Sequence, residues 1–398
     1  MSFSFRSIGF ITKATARVAF LFILCFAIPR LSGQSPQIED TFFKGLWVIR
    51  HNMVDSASVN KVVQFASENG FRQIIVQVRG RGFAYYNSAV VPRAPLIQSQ
   101  GFDPLAYAVA EGHKAGVEVH AWMNMYVLWT ATTKPGDTNH LIFQQPEWTD
   151  ANNTGLMDMD KEWDEFRNGM RGGIYLAPTH PDVNPYLASV VREVAENYQV
   201  DGIHLDYIRY QNVIAGYNPT GREIFRTQYG VDPLILTQIS QMDSADWDER
   251  SYQIYIDAWN DYRRDQVTNL VASLKTICDA NNIALSAAVK PNVNNARSRF
   301  FQDWVEWINN GYLDFAVPMN YANDLDLFMS NVHLIRDELP VDKVVMGIAV
   351  YNQNQYDVAE KILKTLGAQF QGFCLFSFDS FTKNPTYIDV IRRFVMLE

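Results

Sequence analysis

Short apolar runs of strand character alternate along the chain with longer stretches of helical period. The runs "GLWVIR" (45–50), "QIIVQVR" (73–79), "EVHAWMNMY" (118–126) and "GIHLDYI" (202–208) are rich in β-branched and aromatic residues, as strands prefer. Four more follow: "ALSAAVK" (284–290), "FAVPMNY" (315–321), "VVMGIAVY" (344–351) and "GFCLFSF" (372–378). Between them, apolar positions recur every three or four residues over 58–70, 102–116, 186–198, 252–282, 301–311, 325–339, 355–367 and 387–397. Asp-Pro or Ser opens several of these stretches, and Gly70, Gly116 and Gly311 end three of them. Eight strands alternating with eight helices predict an α/β fold, a (β/α)8 TIM barrel over 44–398. A doubly wound open sheet is the alternative, but no G-x-G-x-x-G follows the first strand. No Pro-, Gly- or Ser-rich linker marks a second domain. Two connections are long, 127–181 after the third strand and 209–250 after the fourth. Their Trp, Tyr and Phe content predicts ordered walls of a cleft.

Successive strand residues face opposite sides, and in a barrel the side meeting the helices must be apolar. In the second strand Ile74, Val76 and Val78 face the helices, which leaves Ile75, Gln77 and Arg79 in the lumen. The same argument turns His120, Trp122, Asn124 and Tyr126 inward on the third strand, and His204 and Asp206 on the fourth. Ser286, Ala288 and Lys290 face in on the fifth, and Tyr351 on the seventh. Asn320 and Asp379 are placed inward at the ends of the sixth and eighth strands. The last inward residues are then Arg79, Asn124, Asp206, Lys290, Asn320, Tyr351 and Asp379, all on the rim where barrel active sites are built. An internal ion-pair network is the bland reading. So many polar ends on one rim exceed what mutual compensation of buried charge requires.

This set contains no Ser/His/Asp arrangement, cysteine nucleophile or phosphate-cradling loop, and the chain has no CxxC or HExxH, so neither metal nor cofactor is expected. Carboxylates among aromatics suit glycoside hydrolysis, where a carboxylate serves as acid, base or nucleophile. Asp206 is the first candidate, with Arg79 or Lys290 expected to lower its pKa and keep it ionised. Asp379 and Asp324 are candidate partner acids, with Glu147 and Asp158 on the long loop behind them. Substrate contacts are expected from the inward polar and aromatic residues and from His180, Tyr207 and Tyr321. His180 could equally cap locally. Tyr207 alternates away from Asp206 unless the chain turns over the rim, and Arg209 and Tyr210 begin a cleft wall. A non-catalytic glycan-binding protein on a degenerate barrel is the second reading; it would lack a second acid near Asp206. Amide hydrolysis is a third, without a metal or nucleophile signature to support it.

Composition narrows the partners. Apolar residues are 47% of 398, enough for a large core, and the formal charge is −9. With no basic run longer than Arg263–Arg264, nucleic-acid binding is not expected. The 9 Trp, 19 Tyr and 25 Phe could form platforms for sugar rings in an oligo- or polysaccharide. Lys13 and Arg17 precede the apolar run 18–29 and then "RLSGQSPQ", the pattern of a secretory signal over 1–33, with 34–43 a short N-terminal segment. An uncleaved anchor is the alternative. Export to the periplasm or beyond is expected, with no membrane span after cleavage. Cys278 and Cys374 then remain as buried thiols.

Taken in order, "GLWVIR", "VQVRGRGFAYYNSAVVPRA", "FDPLAYAVAEGHKAGVEVHAWMN", "YLAPTHPDVNPYLASVVREV", "DGIHLDYIRY", "SAAVKPN", "DFAVPMNYAND" and "GFCLFSFDSF" resemble the bacterial glycosyl-hydrolase-like family 10, formerly a domain of unknown function. The resemblance runs from about Lys44 to the C-terminus. It implies a barrel hydrolase, exported and often of the cell envelope, acting on glycans that include peptidoglycan strands. It also implies that Asp206 is the family's acidic position. One departure is Phe83, which stands where members often carry an acid after "RGRG".

Overall fold

The computed structural model describes residues 42–160, 172–239 and 248–395; the expected signal segment and Cys25 lie outside them. Eight parallel strands form the barrel: β1 (Phe43–Val48), β2 (Gln73–Gly80), β3 (Glu118–Asn124), β4 (Gly202–Asp206), β5 (Ala284–Val289), β6 (Phe315–Pro318), β7 (Val345–Ala349) and β8 (Gly372–Phe376). Neighbours pair in the order β7-β8-β1-β2-β3-β4-β5-β6. Bridges Ala316–Val344 and Met319–Gly347 bring β6 back to β7 and nearly close the ring. The principal helices are α1 (Ser56–Glu68), α2 (Pro104–Lys114), α3 (Val183–Asn197), α4 (Glu249–Ala280), α5 (Trp304–Asn309), α6 (Leu325–Glu338), α7 (Gln355–Gly367) and α8 (Tyr387–Val395).

Asx caps start these helices where the sequence offers them. Asp55, Asp103, Asp248 and Asp324 each accept the backbone N–H three residues on, and so satisfy a donor the helix itself cannot. Asp324, expected as a candidate partner acid, is exposed, and its carboxylate caps α6.

Two apolar layers result from the pleat. The larger fills the space between strands and helices, with Ile74, Val76, Val119, Ile203, Leu285 and Met346 on the strand side. The smaller lies in the lumen and joins Phe43, Trp47, Ile75, Trp122, Phe315, Val317, Val345 and Cys374. The long connection after β3 carries the antiparallel pair Val127–Trp129 and Ile174–Tyr175. The connection after β4 carries helices Pro219–Tyr229 and Pro233–Ile239. Cys278 and Cys374 are buried and free. Among the described residues no helix is long and apolar enough to cross a membrane.

Gly372 sits between β7 and β1 and pairs with both Phe43 and Val345. A Cβ there would lie 2.1 Å from the Phe43 carbonyl oxygen, which is backbone and cannot rotate away. Gly372→Ala is therefore expected to lower the stability of the barrel by about 1–3 kcal/mol or more, measured by chemical denaturation. An unchanged midpoint would show that β1 and β8 are not packed this closely.

Candidate active site

The lumen is plugged below the rim. Trp47 donates its Nε1–H to His204 Nε2 at 3.3 Å, and His204 Nδ1 lies 2.9 Å from Ser286 Oγ. An acceptor at Nε2 places the ring proton on Nδ1, so His204 is neutral and donates to Ser286. Burial, with His120 nearby, lowers the His204 pKa to about 3. His204 thus faces inward as its alternation requires, but one layer beneath the cavity, where it holds Trp47.

Above this plug a cavity of about 540 Å³ opens at the C-terminal ends of the strands. Its floor and walls include Trp47, Trp122, Tyr207, Tyr321, Met319 and Phe376. Asp206, the last residue of β4, is 7% exposed and lies in this wall. Its Oδ2 accepts from Trp122 Nε1 at 3.1 Å, and its Oδ1 from the backbone N–H of Tyr207 at 2.7 Å. Tyr207 has a φ of +52°, and this left-handed turn at the strand end directs its ring into the cavity. The turn settles the open question over Tyr207 in favour of the rim.

Four cations line the same cavity: Arg50, Arg81, Arg209 and Lys290. The buried Arg209 guanidinium stacks between Tyr207 and Phe300, at 5.0 and 5.3 Å from their centroids, and donates to Tyr210 O. Lys290 Nζ lies 4.8 Å from the Phe300 ring centre. Burial and then the Arg209 charge lower the Lys290 pKa to about 8. The expectation that a cation keeps Asp206 ionised is corrected. Arg209 and Lys290 do favour the carboxylate, but desolvation outweighs them and the Asp206 pKa is raised. Opposite, Gln77 receives a hydrogen bond from Arg50 Nη1 at 2.8 Å and donates to Asn124 Oδ1 at 3.2 Å. Arg81 donates to Thr130 Oγ1.

The cavity therefore gathers Gln77, Trp122, Asn124, Asp206, Tyr207, Lys290 and Tyr321 from the expected set. Other members of that set lie elsewhere. Arg79 pairs with the outward Met123, because the register between β2 and β3 shifts after Gln77. That bulge breaks the alternation and sends Arg79 out of the lumen, where Nη1 donates to the carbonyls of Asn124 and Met125. Tyr126 lies beyond the end of β3 and donates to Asn184 Oδ1 in the helix-side core. Inward parity on β6 belongs to Phe315 and Val317 in the lumen cluster, so Asn320 faces α6 and bonds Phe328 O and Asn331. His180 caps locally, accepting from the Asp182 N–H at 3.3 Å. Tyr351 is 60% exposed on the rim, edge-on to Tyr321 and Phe376. On β8 the inward residues are Cys374 and Phe376; Asp379 has moved into the following short helix Phe378–Lys383, bonding His51 and Asn52. Glu147 is exposed, and Asp158 accepts from the Tyr175 N–H. Phe83 packs edge-on against His140 and Trp129.

Asp206 is consequently the one carboxylate among the described residues that line the cavity. The residues missed beforehand, Trp47, Arg50, Arg81 and Phe376, come from the unassigned faces of β1 and β8 and from positions just past strand ends.

Comparison with known proteins gives a coherent result. A family model described as glycosyl hydrolase-like 10 matches residues 43–358. The chain is 24% identical over 288 residues to glycosyl hydrolase YngK of Bacillus subtilis (strain 168), covering 66% of this chain and 48% of that one. It is 26% identical over 276 residues to glycosyl hydrolase DigH of Escherichia coli (strain K12), covering 63% and 55%. The chain thus spans about half the length of these curated relatives. The glycoside hydrolase domain of PgaB (BpsB) from Bordetella bronchiseptica superposes with a TM-score of 0.62 at 11% identity, covering 90% of this chain and 100% of that domain.

The buried His204 makes stability depend on acid. Its folded pKa of about 3 lies below the unfolded value of 6.5, so its contribution is full above pH 6.5 and is lost as pH falls toward 3. The loss is expected to be on the order of 4 kcal/mol, and His204→Gln should show a shallower fall over the same window in urea titrations. Parallel pH profiles for the two proteins would contradict a buried neutral imidazole.

Proposed function

Because the chain belongs to the glycosyl hydrolase-like 10 family, we propose that it is an exported enzyme that cleaves glycosidic bonds in a polysaccharide, peptidoglycan glycan strands among the candidates. The observation that carries this reading is Asp206. It is a rigidly held carboxyl at a barrel strand end, facing a cavity walled by aromatic rings, with its pKa raised by burial. A carboxyl that retains its proton is suited to general acid catalysis.

In this role Asp206 gives its proton to the glycosidic oxygen as the bond to the sugar breaks; a water adds to the anomeric carbon in place of the leaving group and releases a proton, which restores the acid. Trp122 and the Tyr207 N–H each occupy one site on its two oxygens, which orients the group and leaves further sites toward the cavity. As the proton leaves, the same two donors and the Arg209 and Lys290 charges stabilise the carboxylate that forms. Trp47, Trp122, Tyr321 and Phe376 offer apolar faces to sugar rings. The second reading, a glycan-binding protein without turnover, is favoured by one observation: no second carboxylate lines the cavity among the described residues. Two-carboxylate glycosidases hold their pair about 5–9.5 Å apart.

A glycan panel that includes peptidoglycan strands with and without peptides separates the two. The wild type is expected to turn over at least one glycan. Asp206→Asn should reduce kcat by about 10²–10⁴ while the dissociation constant changes far less. As general acid Asp206 must be protonated, so kcat/KM should fall as pH rises through its raised pKa. Full turnover by Asp206→Asn would remove the assignment. Tight binding without turnover by either protein would establish the binding reading.

A further inference from the structure

The cavity carries more positive charge than its own acid can compensate. Asp206 faces Arg209 and Lys290, the two cations whose charge acts on it. Arg50 and Arg81 remain on the side where β1 and β2 end. Neither forms an ion pair with a carboxylate among the described residues, where Arg50 bonds the neutral Gln77 and Tyr85, and Arg81 bonds the neutral Thr130 and lies 5.9 Å from the Trp129 ring centre. Each is only partly exposed, so water screens them less than it would surface residues. They are also close enough to oppose one another: after burial, the Arg50 charge is the main influence lowering the Arg81 pKa. Two like charges held together in a half-closed site are unfavourable unless something anionic joins them.

On these grounds we infer that Arg50 and Arg81 form an anion subsite of the cavity, which selects glycans carrying a carboxylate on a sugar unit next to the bond at Asp206. The inference rests on the glycan reading above and adds the substrate's charge to it. The guanidinium fork matches a carboxylate in two parallel hydrogen bonds, and it is less strongly hydrated than an ammonium. Gln77 is placed to finish the site. Its Oε1 accepts from Arg50 Nη1 and its Nε2 donates to Asn124, so it ties the arginine to the floor, and the Tyr85 side chain bonds Arg50 as well. A neutral sugar would leave both cations uncompensated. Discrimination therefore comes from the cost of leaving charge unpaired as much as from the contact formed.

The test uses a hexuronic acid tetramer, the same tetramer with its carboxyls reduced, and a sulfated neutral tetramer, each titrated calorimetrically. The wild type is expected to bind the acidic form at least about tenfold more tightly than the reduced form, with the preference shrinking at high salt. Arg50→Gln and Arg81→Gln should bring the two forms to within about threefold, and Arg81→Lys should retain part of the preference. Melting temperatures near that of the wild type will verify that the variants are folded. Equal binding of both forms by the wild type, or a preference that survives Arg50→Gln and Arg81→Gln, overturns the subsite. Tighter binding of the sulfated tetramer than the acidic one overturns the carboxylate assignment. If neutral glycans bind and the acidic tetramer does not, the subsite fails and the glycan reading stands. If no glycan binds, citrate titration decides separately: protection of the wild type against heat, lost in Arg50→Gln, keeps the anion site and removes the glycan reading.

Discussion

Eight strands nearly closed on one lumen exclude water from the polar groups inside, so those groups must satisfy one another or face the cavity. Everything at the rim follows from this constraint. Trp47, His204 and Ser286 form one hydrogen-bonded chain across the barrel, which fixes the cavity floor. Trp122 and the turn at Tyr207 fix Asp206, and Gln77 ties Arg50 to Asn124. No single bond here is worth more than about 0.5–3 kcal/mol net. Their value lies in holding side chains from β1, β2, β3 and β4 in one geometry, as a preorganised site requires.

The electrostatics is set by which effect is larger at each group. At Asp206 burial outweighs two nearby cations, so the acid gains affinity for its proton. At Lys290 burial acts in the opposite sense on an ammonium and brings it down to about 8. One low-dielectric site thus moves an acid up and a base down, toward each other. That arrangement is common where protons are transferred and uncommon in a purely structural ion pair, which would depress the acid.

Much of this was legible in the sequence, for identifiable reasons. All eight strands and their helices follow from alternating runs, because a parallel sheet must bury each strand between lumen and helix layer. Alternation also brings Gln77, Trp122, Asn124, Asp206 and Lys290 to the cavity. It fails where its premise fails. The bulge after Gln77 reverses Arg79, and Tyr126 lies beyond its strand. On β6 and β8 both faces are largely apolar, so parity gives no direction: Asn320 faces α6, and Asp379 lies past its strand in a short helix. Arg50, Arg81 and Arg209 follow strand ends, where a period of two no longer gives direction. Asp324 precedes an apolar helical run in the position of an N-cap, a signal that could have removed it from the candidate acids.

The central claim is that burial, not the neighbouring cations, sets the protonation of Asp206. The most direct test is a carboxyl-carbon NMR titration of the intact protein, with the Asp206 signal identified by its loss in Asp206→Asn. A midpoint above the ordinary aspartate value of 3.8 is expected. A midpoint at or below 3.8 would mean that Arg209 and Lys290 hold Asp206 ionised, and would contradict its assignment as a proton donor.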